Sequence, residues 1–245
     1  MELKEIFNHW AKSVHPDYAH QQWLLSKWEV FEGIEWSAAK IDLMVKTIAQ
    51  GLSLKISDCL IDLGCGAGWI LQALLSRCAK GVGLDISWEM LKMATRKARV
   101  NYLCGEIGQL PLRSESFDCA LVYYVFLNFR DYRYVEQSLL EIFRILKPGG
   151  RALIGQLPDQ NCSADYELAK ADHLQFCQRH YLLGKNNRDL YLPPLRLFDR
   201  NRLKDFLGKY NMDHRFLPSF NPFFREGKPE VIDWRFDLIL EKNLK

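Results

Sequence analysis

Between residues 59 and 156, short apolar runs alternate with segments whose apolar positions recur every three or four residues. CLIDL (59–63), GVGLD (81–85), VNYLC (100–104), FDCALVYY (117–124) and RALIGQ (151–156) read as strands bounded by glycine, acid or turn residues. Between them, WILQALLSRCAK sets Ile70, Ala73, Leu74 and Cys78 on one helical face, and YVEQSLLEIFRIL sets Val135, Leu139, Ile142 and Leu146 on another. Ser87 is placed to cap the helix through Met90, Leu91 and Ala94, and Pro148-Gly149-Gly150 ends the later one. Strands that alternate with amphipathic helices require crossover connections and a parallel sheet covered on both faces, which is a doubly wound α/β core.

The flanks carry weaker patterns. Residues 1–58 read as helical and hold Trp10, Trp23, Trp28 and Trp36, better explained by packing than by a ligand wall. Residues 162–183 and 199–209 predict helices, and VIDWRFDLIL (231–240) alternates like a half-buried strand. No repeat or low-complexity linker separates these from the core. The expectation is a single domain: a helical cap (1–58), a core (59–156), a substrate-side insert (157–230) and a final strand (231–245).

Composition changes this picture little. With 33 Lys plus Arg against 30 Asp plus Glu, the net charge of +3 over 245 residues sets up no chain-wide field for nucleic acid or membrane. MELKEIFNHWAK lacks a signal-like apolar stretch and no run of about 18 apolar residues occurs, so a soluble, unexported protein is expected. Seven cysteines, at 59, 65, 78, 104, 119, 162 and 177, form no CxxC pair, which predicts neither a disulfide framework nor a four-ligand zinc site. A cytoplasmic location is the simplest setting.

Candidate chemistry begins at LIDLGCGAGWI (60–70), where a buried strand runs into glycines at 64, 66 and 68. A phosphate-binding P-loop would need a Lys followed by Ser or Thr that this stretch lacks, and the dinucleotide fingerprint would need a third glycine where Trp69 stands. What remains is a tight strand-to-helix turn that lets backbone approach a ligand. Roughly twenty residues on, Asp85 ends the second strand at the same sheet edge, where a carboxylate can accept from both hydroxyls of a ribose. The two strand ends together describe a nucleoside site without a pyrophosphate grip.

In the order LIDLGCGAG, GLDIS with Met90 and Leu91, GEIGQLPLRSESFDCAL and EIFRILKPGGRALI, residues 58 to 156 resemble the class I S-adenosylmethionine-dependent methyltransferases, in particular those acting on small molecules. The resemblance implies a Rossmann-like, mostly parallel seven-stranded sheet, with N-terminal helices and a helical insert after the fifth strand. It also implies S-adenosylmethionine as cofactor. Asp62, Gly64, Cys65, Gly66 and Gly68 would hold the methionyl portion and Asp85 the ribose, while Ile86 and Met90 would pack on the adenine faces. Glu106 would take the adenine amino group and the Ile107 N–H the ring; the family usually has an Asp where Glu106 stands.

For the acceptor the chain says less. Tyr123 and Tyr124 end the fourth strand and Asn128 follows; Tyr123 is a candidate for the cofactor pocket and, more weakly, for catalysis. If a general base is needed, His15, His173 and His180 are the histidines to consider, since imidazole titrates near neutrality. His173, Cys177 and His180 share a face if that segment is helical, but no further ligand confirms a metal, and none is expected. The stretch 179–204 is basic and carries Tyr181, Tyr191 and Phe198, which raises an RNA substrate; LVYYVFLNF lacks the Asn/Asp-Pro-Pro-Tyr motif of base-amino methyltransferases. A solvated face, or a site for an anionic group of a small acceptor, fits better. The expected function is methyl transfer to a metabolite or natural product, on oxygen, nitrogen or carbon. The rivals are an RNA or protein methyltransferase and a non-catalytic cofactor-binding interaction protein.

Overall fold

The computed structural model describes residues 3–12, 38–94, 100–129, 131–164, 196–220 and 231–244. Seven strands form one sheet in the order β3-β2-β1-β4-β5-β7-β6: β1 (Cys59–Leu63), β2 (Lys80–Asp85), β3 (Val100–Cys104), β4 (Phe117–Tyr123), β5 (Leu146–Pro158), β6 (Asp213–Phe220) and β7 (Val231–Glu241). Strands β1 to β5 run parallel, and β7 lies antiparallel between β5 and β6. The described helices are α1 (Leu3–Lys12), α2 (Ala38–Gly51), α3 (Trp69–Leu74), α4 (Trp88–Met93), α5 (Tyr132–Ile145) and α6 (Arg200–Lys209). This is the doubly wound sheet that the alternation of patterns predicts.

Burial on both faces follows from the period-two pleat. Ile61, Ala120, Val122 and Ile154 point into one core layer with Val135, Leu139 and Ile142 of α5 and Leu203 and Leu207 of α6. Leu60, Cys119, Leu121 and Leu153 point into the other, with Met44, Val45 and Ile48 of α2 and Ile70, Leu71 and Leu74 of α3. Strand order reverses between β1 and β4, so the crevice beyond their carboxyl ends is where such a sheet binds ligands.

Caps explain several boundaries. Ser87 accepts from the Met90 N–H at 3.2 Å to start α4, Asp131 accepts from Arg133 N–H at 2.9 Å to start α5, and Asp199 accepts from Asn201 and Arg202 to start α6. The helix after the glycine turn is shorter than its pattern: α3 stops at Leu74 and Leu75–Arg77 continue as a 3₁₀ turn. Pro148-Gly149-Gly150 lies inside β5 rather than before it, because Gly149 N–H donates to Lys242 O at 2.6 Å and Lys242 N–H to Gly150 O at 2.9 Å. The insert 157–230 is not wholly helical. It supplies β6, whose DHRFLPSF sequence hides its strand character behind Pro218; the register against β7 shifts there, between Pro218 and Ser219. The helix expected over 162–183 falls largely outside the described residues, which resume at Arg196. No described helix is long and apolar enough to cross a membrane.

Candidate functional site

The glycine turn leaves β1 with Gly64, Gly66 and Gly68 all in the left-handed region, at φ 80°, 53° and 77°. L-residues pay for that conformation, and at Gly64 and Gly68 space forbids them as well. A Cβ on Gly64 would stand 2.4 Å from Val125 Cγ2, and one on Gly68 2.5 Å from the Tyr102 hydroxyl. The Gly64 and Cys65 N–H groups donate to Leu84 O at 2.6 and 3.0 Å, and Gly68 N–H to Cys65 O at 2.8 Å, so the turn is bound to the end of β2.

Asp85 completes that attachment. One carboxylate oxygen accepts from Gly66 N–H at 2.8 Å and the other from Ser87 N–H at 2.8 Å. Each oxygen keeps lone-pair capacity, so two adjacent hydroxyl donors can still be bound. Asp85 is 8% exposed, and burial pushes its carboxyl up while those N–H groups, with that of Ile86, pull it down. Asp62 is more enclosed, at 3% exposure. Burial first, and then the neighbouring Asp85, push its carboxyl up to about 8. Two acids pressed together in a low-dielectric site attract a cation strongly and accept from its donors.

The other expected cofactor residues surround this centre. Met90 reaches the turn, its Cε 3.2 Å from where a Gly66 Cβ would be, and packs with Trp69 and Met93 around Ala67. Ile86 is half-buried, with Cys104 Sγ 3.7 Å from its carbonyl. The Cys65 thiol is buried and held well above its ordinary value by burial and the two aspartates; its Sγ faces Gly66 O at 3.6 Å. Glu106 is exposed in the loop after β3, and the Ile107 side chain is buried in the core beneath it. The structure thus brings Asp62, Gly64, Cys65, Gly66, Gly68, Asp85, Ile86 and Met90 to one edge, with Glu106 and Ile107 on the neighbouring loop.

Tyr123 lies differently. It is 5% exposed within the α2/α3 core layer, its hydroxyl accepts from Gln156 Nε2 at 3.1 Å, and burial holds the phenol far above its ordinary value. This environment suits packing and keeps the proton on the phenol, so the catalytic candidacy of Tyr123 finds no support in it. Tyr123 belongs to a buried polar network: Gln156 Nε2 also donates to Phe220 O at 2.8 Å, Gln156 N–H to Asp237 at 2.8 Å, Ser219 to Asp237, and Arg235 to Gln156 Oε1 at 3.0 Å. Tyr124 and Gln156 hold φ of 60° and 66° without being glycine, and Asn128 Nδ2 donates to the carbonyls of Tyr124 and Val125 at 3.0 and 3.2 Å. Strained residues of this kind gather at functional sites.

His15, His173, Cys177 and His180 lie outside the described residues. Among the described residues no cluster of three His, Cys, Asp or Glu side chains is placed to hold a metal. The described part of the basic stretch is engaged within the chain. Arg196 Nε donates to Phe129 O at 2.6 Å, Arg200 pairs with Asp159 at 2.6 Å, and Arg202 meets Glu136 at 3.3 Å and lies 3.6 Å over the Tyr132 ring. Sequence reasoning missed Tyr102, whose ring fills the space beneath Gly68 and Gly83, and Asn8 of α1, whose Oδ1 accepts from Ser87 Oγ at 2.7 Å.

Sheet order defines a doubly wound α/β protein, with the glycine turn and Asp85 joined at its switch point. Residues 61–154 match the family model described as a methyltransferase domain. The chain is 38% identical over 161 residues to a demethylmenaquinone methyltransferase of Lactococcus lactis, a match covering 62% of this chain and 56% of that protein. It spans about half the length of the curated relatives it matches. In fold it is similar to an S-adenosylmethionine-dependent methyltransferase from Thermotoga maritima (TM-score 0.61, 22% identity, 99% of this chain and 100% of that one). It is also similar to a Haloferax volcanii structure of the Trm112 methyltransferase activator in complex with a methyltransferase (TM-score 0.64, 17% identity, 97% of each chain). The match assigns residues 61–154 to a methyltransferase domain.

Proposed function

We propose that this chain transfers a methyl group from S-adenosylmethionine to a small-molecule acceptor. The observation that carries the reading is the tie between Gly66 and Asp85, which sets a side-chain-free turn and a hydroxyl-accepting carboxylate side by side at the switch point of the sheet. The residues present fit the cofactor. The turn is a cradle that Cβ atoms would fill, and Asp62 is a buried carboxyl under the influence of Asp85, suited to an ammonium group. Asp62, Gly64, Cys65, Gly66 and Gly68 would hold the methionyl portion, Asp85 the ribose, Ile86 and Met90 the adenine faces, and Glu106 and the Ile107 N–H the adenine edge.

When bound, the cofactor supplies a methyl group already activated on a sulfonium. The chain's own work is then to bind the acceptor, align its nucleophile and exclude water. The wall available for this is the strained Tyr124–Asn128 segment with the network of Gln156, Asp237 and Arg235 behind it. An acceptor oxygen or protonated amine would need a base, for which His15, His173 and His180 are the candidates. The names of the demethylmenaquinone methyltransferase relatives support an acceptor of metabolite size. A labelled-methyl transfer screen over pooled metabolites, with products identified by mass spectrometry, tests the reading: label in a small molecule supports it, and label in RNA or protein alone sinks it.

A further inference from the structure

A carboxylate can receive two neighbouring hydroxyls only while its plane is fixed, and two ties fix that of Asp85. Gly66 N–H holds one oxygen and Ser87 N–H the other, both at 2.8 Å. The second tie is itself held from outside the sheet. Ser87 is wholly buried, at 0% exposure, and its hydroxyl has one proton to give and lone pairs to offer. A lone pair accepts from Met90 N–H at 3.2 Å, and the proton goes to Asn8 Oδ1 of α1 at 2.7 Å. The same amide oxygen accepts from Glu89 N–H at 3.5 Å. Asn8 therefore acts as a second cap on the first turn of α4, supplied by a helix that packs against it from far back in the chain. One line of hydrogen bonds runs from the glycine turn through Asp85 and Ser87 to α1.

We infer that Asn8 is a positioning residue for ribose recognition: by fixing the Ser87 hydroxyl at the start of α4, it holds Asp85 in the plane that receives both ribose hydroxyls. This rests on the methyltransferase reading of the site. Without the Asn8 oxygen the Ser87 proton is left buried with no acceptor, and a buried hydroxyl relieves that by turning. A turned hydroxyl gives up Met90 N–H. The first turn of α4 then loosens, and with it the Ser87 N–H that anchors Asp85. Asn8 acts only through Ser87 and Asp85, so its loss falls on the ribose hydroxyls more than on the methionyl portion of the ligand.

The test titrates the full chain with S-adenosylhomocysteine and with its 2′-deoxyribose counterpart, which lacks one of the two hydroxyls. The ratio of the two dissociation constants is read by calorimetry, with thermal midpoints measured alongside. The wild-type ratio should favour the ribose by about tenfold, the worth of one hydrogen bond to a charged group, and Asp85→Ala should bring it to about one. Asn8→Ala and Ser87→Ala should each lower the ratio at least about threefold, and the double variant should fall no further than Ser87→Ala alone. Asn8→Asp keeps the accepting oxygen and should stay within about twofold of wild type. A contact that merely supported the fold would lower the thermal midpoint and weaken both ligands alike, leaving the ratio where it was. If Asn8→Ala fails to fold, Ser87→Ala gives the reading instead. A wild-type ratio near one, an Asn8→Ala or Ser87→Ala ratio equal to wild type, or an Asn8→Asp ratio as low as that of Asn8→Ala overturns the inference. Failure of the wild type to bind either ligand overturns the function reading instead.

Discussion

Gly64→Ala perturbs the glycine turn at its tightest point. The residue sits at φ 80°, and alanine in the left-handed region costs about 1–2 kcal/mol. The new Cβ would also stand 2.4 Å from Val125 Cγ2, and 3.1 Å from its other methyl. Relief requires Val125 to move, although Asn128 holds the Val125 carbonyl at 3.2 Å; overpacking of this kind costs about 1–3 kcal/mol. The sum, about 2–5 kcal/mol, corresponds to a melting point lower by about 4–20 °C for a chain of this size. Urea denaturation gives the free energy directly and calorimetric melting the midpoint. Pairing the substitution with Val125→Ala separates the two causes. The overlap disappears in the double variant and the backbone cost remains, so the coupling should recover about 1–3 kcal/mol. A single variant within about 0.5 kcal/mol of wild type, or no recovery with Val125→Ala, would refute the claim that conformation and contact both demand glycine here.

Gly208 is the opposite case: it lies in α6 with nothing within 4 Å of the place a Cβ would take, so Gly208→Ala should stabilise by up to about 1 kcal/mol in the same denaturation assay. Gln156→Leu strips hydrogen bonds from Tyr123, Phe220 O and Arg235 together and should cost about 2–4 kcal/mol, again by urea denaturation; a neutral result would mean that the network is worth no more than apolar packing. The Asp62 carboxyl titrates at about 8 when folded, against an ordinary value of 3.8. The folded state therefore binds the extra proton between those values, and the contribution is lost as pH rises from about 4 to about 8. Asp62→Asn should remove that decline from the stability profile, which leaves the difference between variant and wild type growing with pH across this window; a difference that stays flat contradicts the raised carboxyl. An ammonium group bound beside Asp62 would lower its pKa, so binding of S-adenosylhomocysteine near neutrality should release protons, seen as a dependence of the calorimetric heat on buffer ionisation enthalpy.

Much of the architecture was legible because it depends on local signals that repeat. Ser87, Asp131 and Asp199 at helix starts act within two or three residues, and the glycine turn meets the acid at the end of the next strand only 19 positions on. What escaped depends on partners far apart in the chain. The start of β5 is drawn through Pro148-Gly149-Gly150 by Lys242, almost a hundred residues on. β6 carries a proline that disqualifies it by local rules and is tolerated because the strand lies at the sheet edge. Tyr124 and Gln156 occupy backbone conformations that their residue types do not announce. The polar stripe of α5 could be read as the face opposite its apolar one, but nothing local says that Tyr134 and Gln137 meet Gly108, more than 25 positions earlier. The acceptor is the least legible part, since the residues that would recognise it come from several strand ends and from the flanking segments.

The claim on which the rest depends is that the turn and Asp85 form one nucleoside-binding site. Calorimetric titration of wild type and Asp85→Ala with S-adenosylhomocysteine tests it most directly. Asp85 accepts two backbone N–H groups at 2.8 Å and is assigned both ribose hydroxyls, so its removal should weaken binding by at least about tenfold, equivalent to about 1.4 kcal/mol. Clear binding by the wild type with that loss in the variant is the expected result; no binding by the wild type, or equal affinity in the two proteins, would contradict the account.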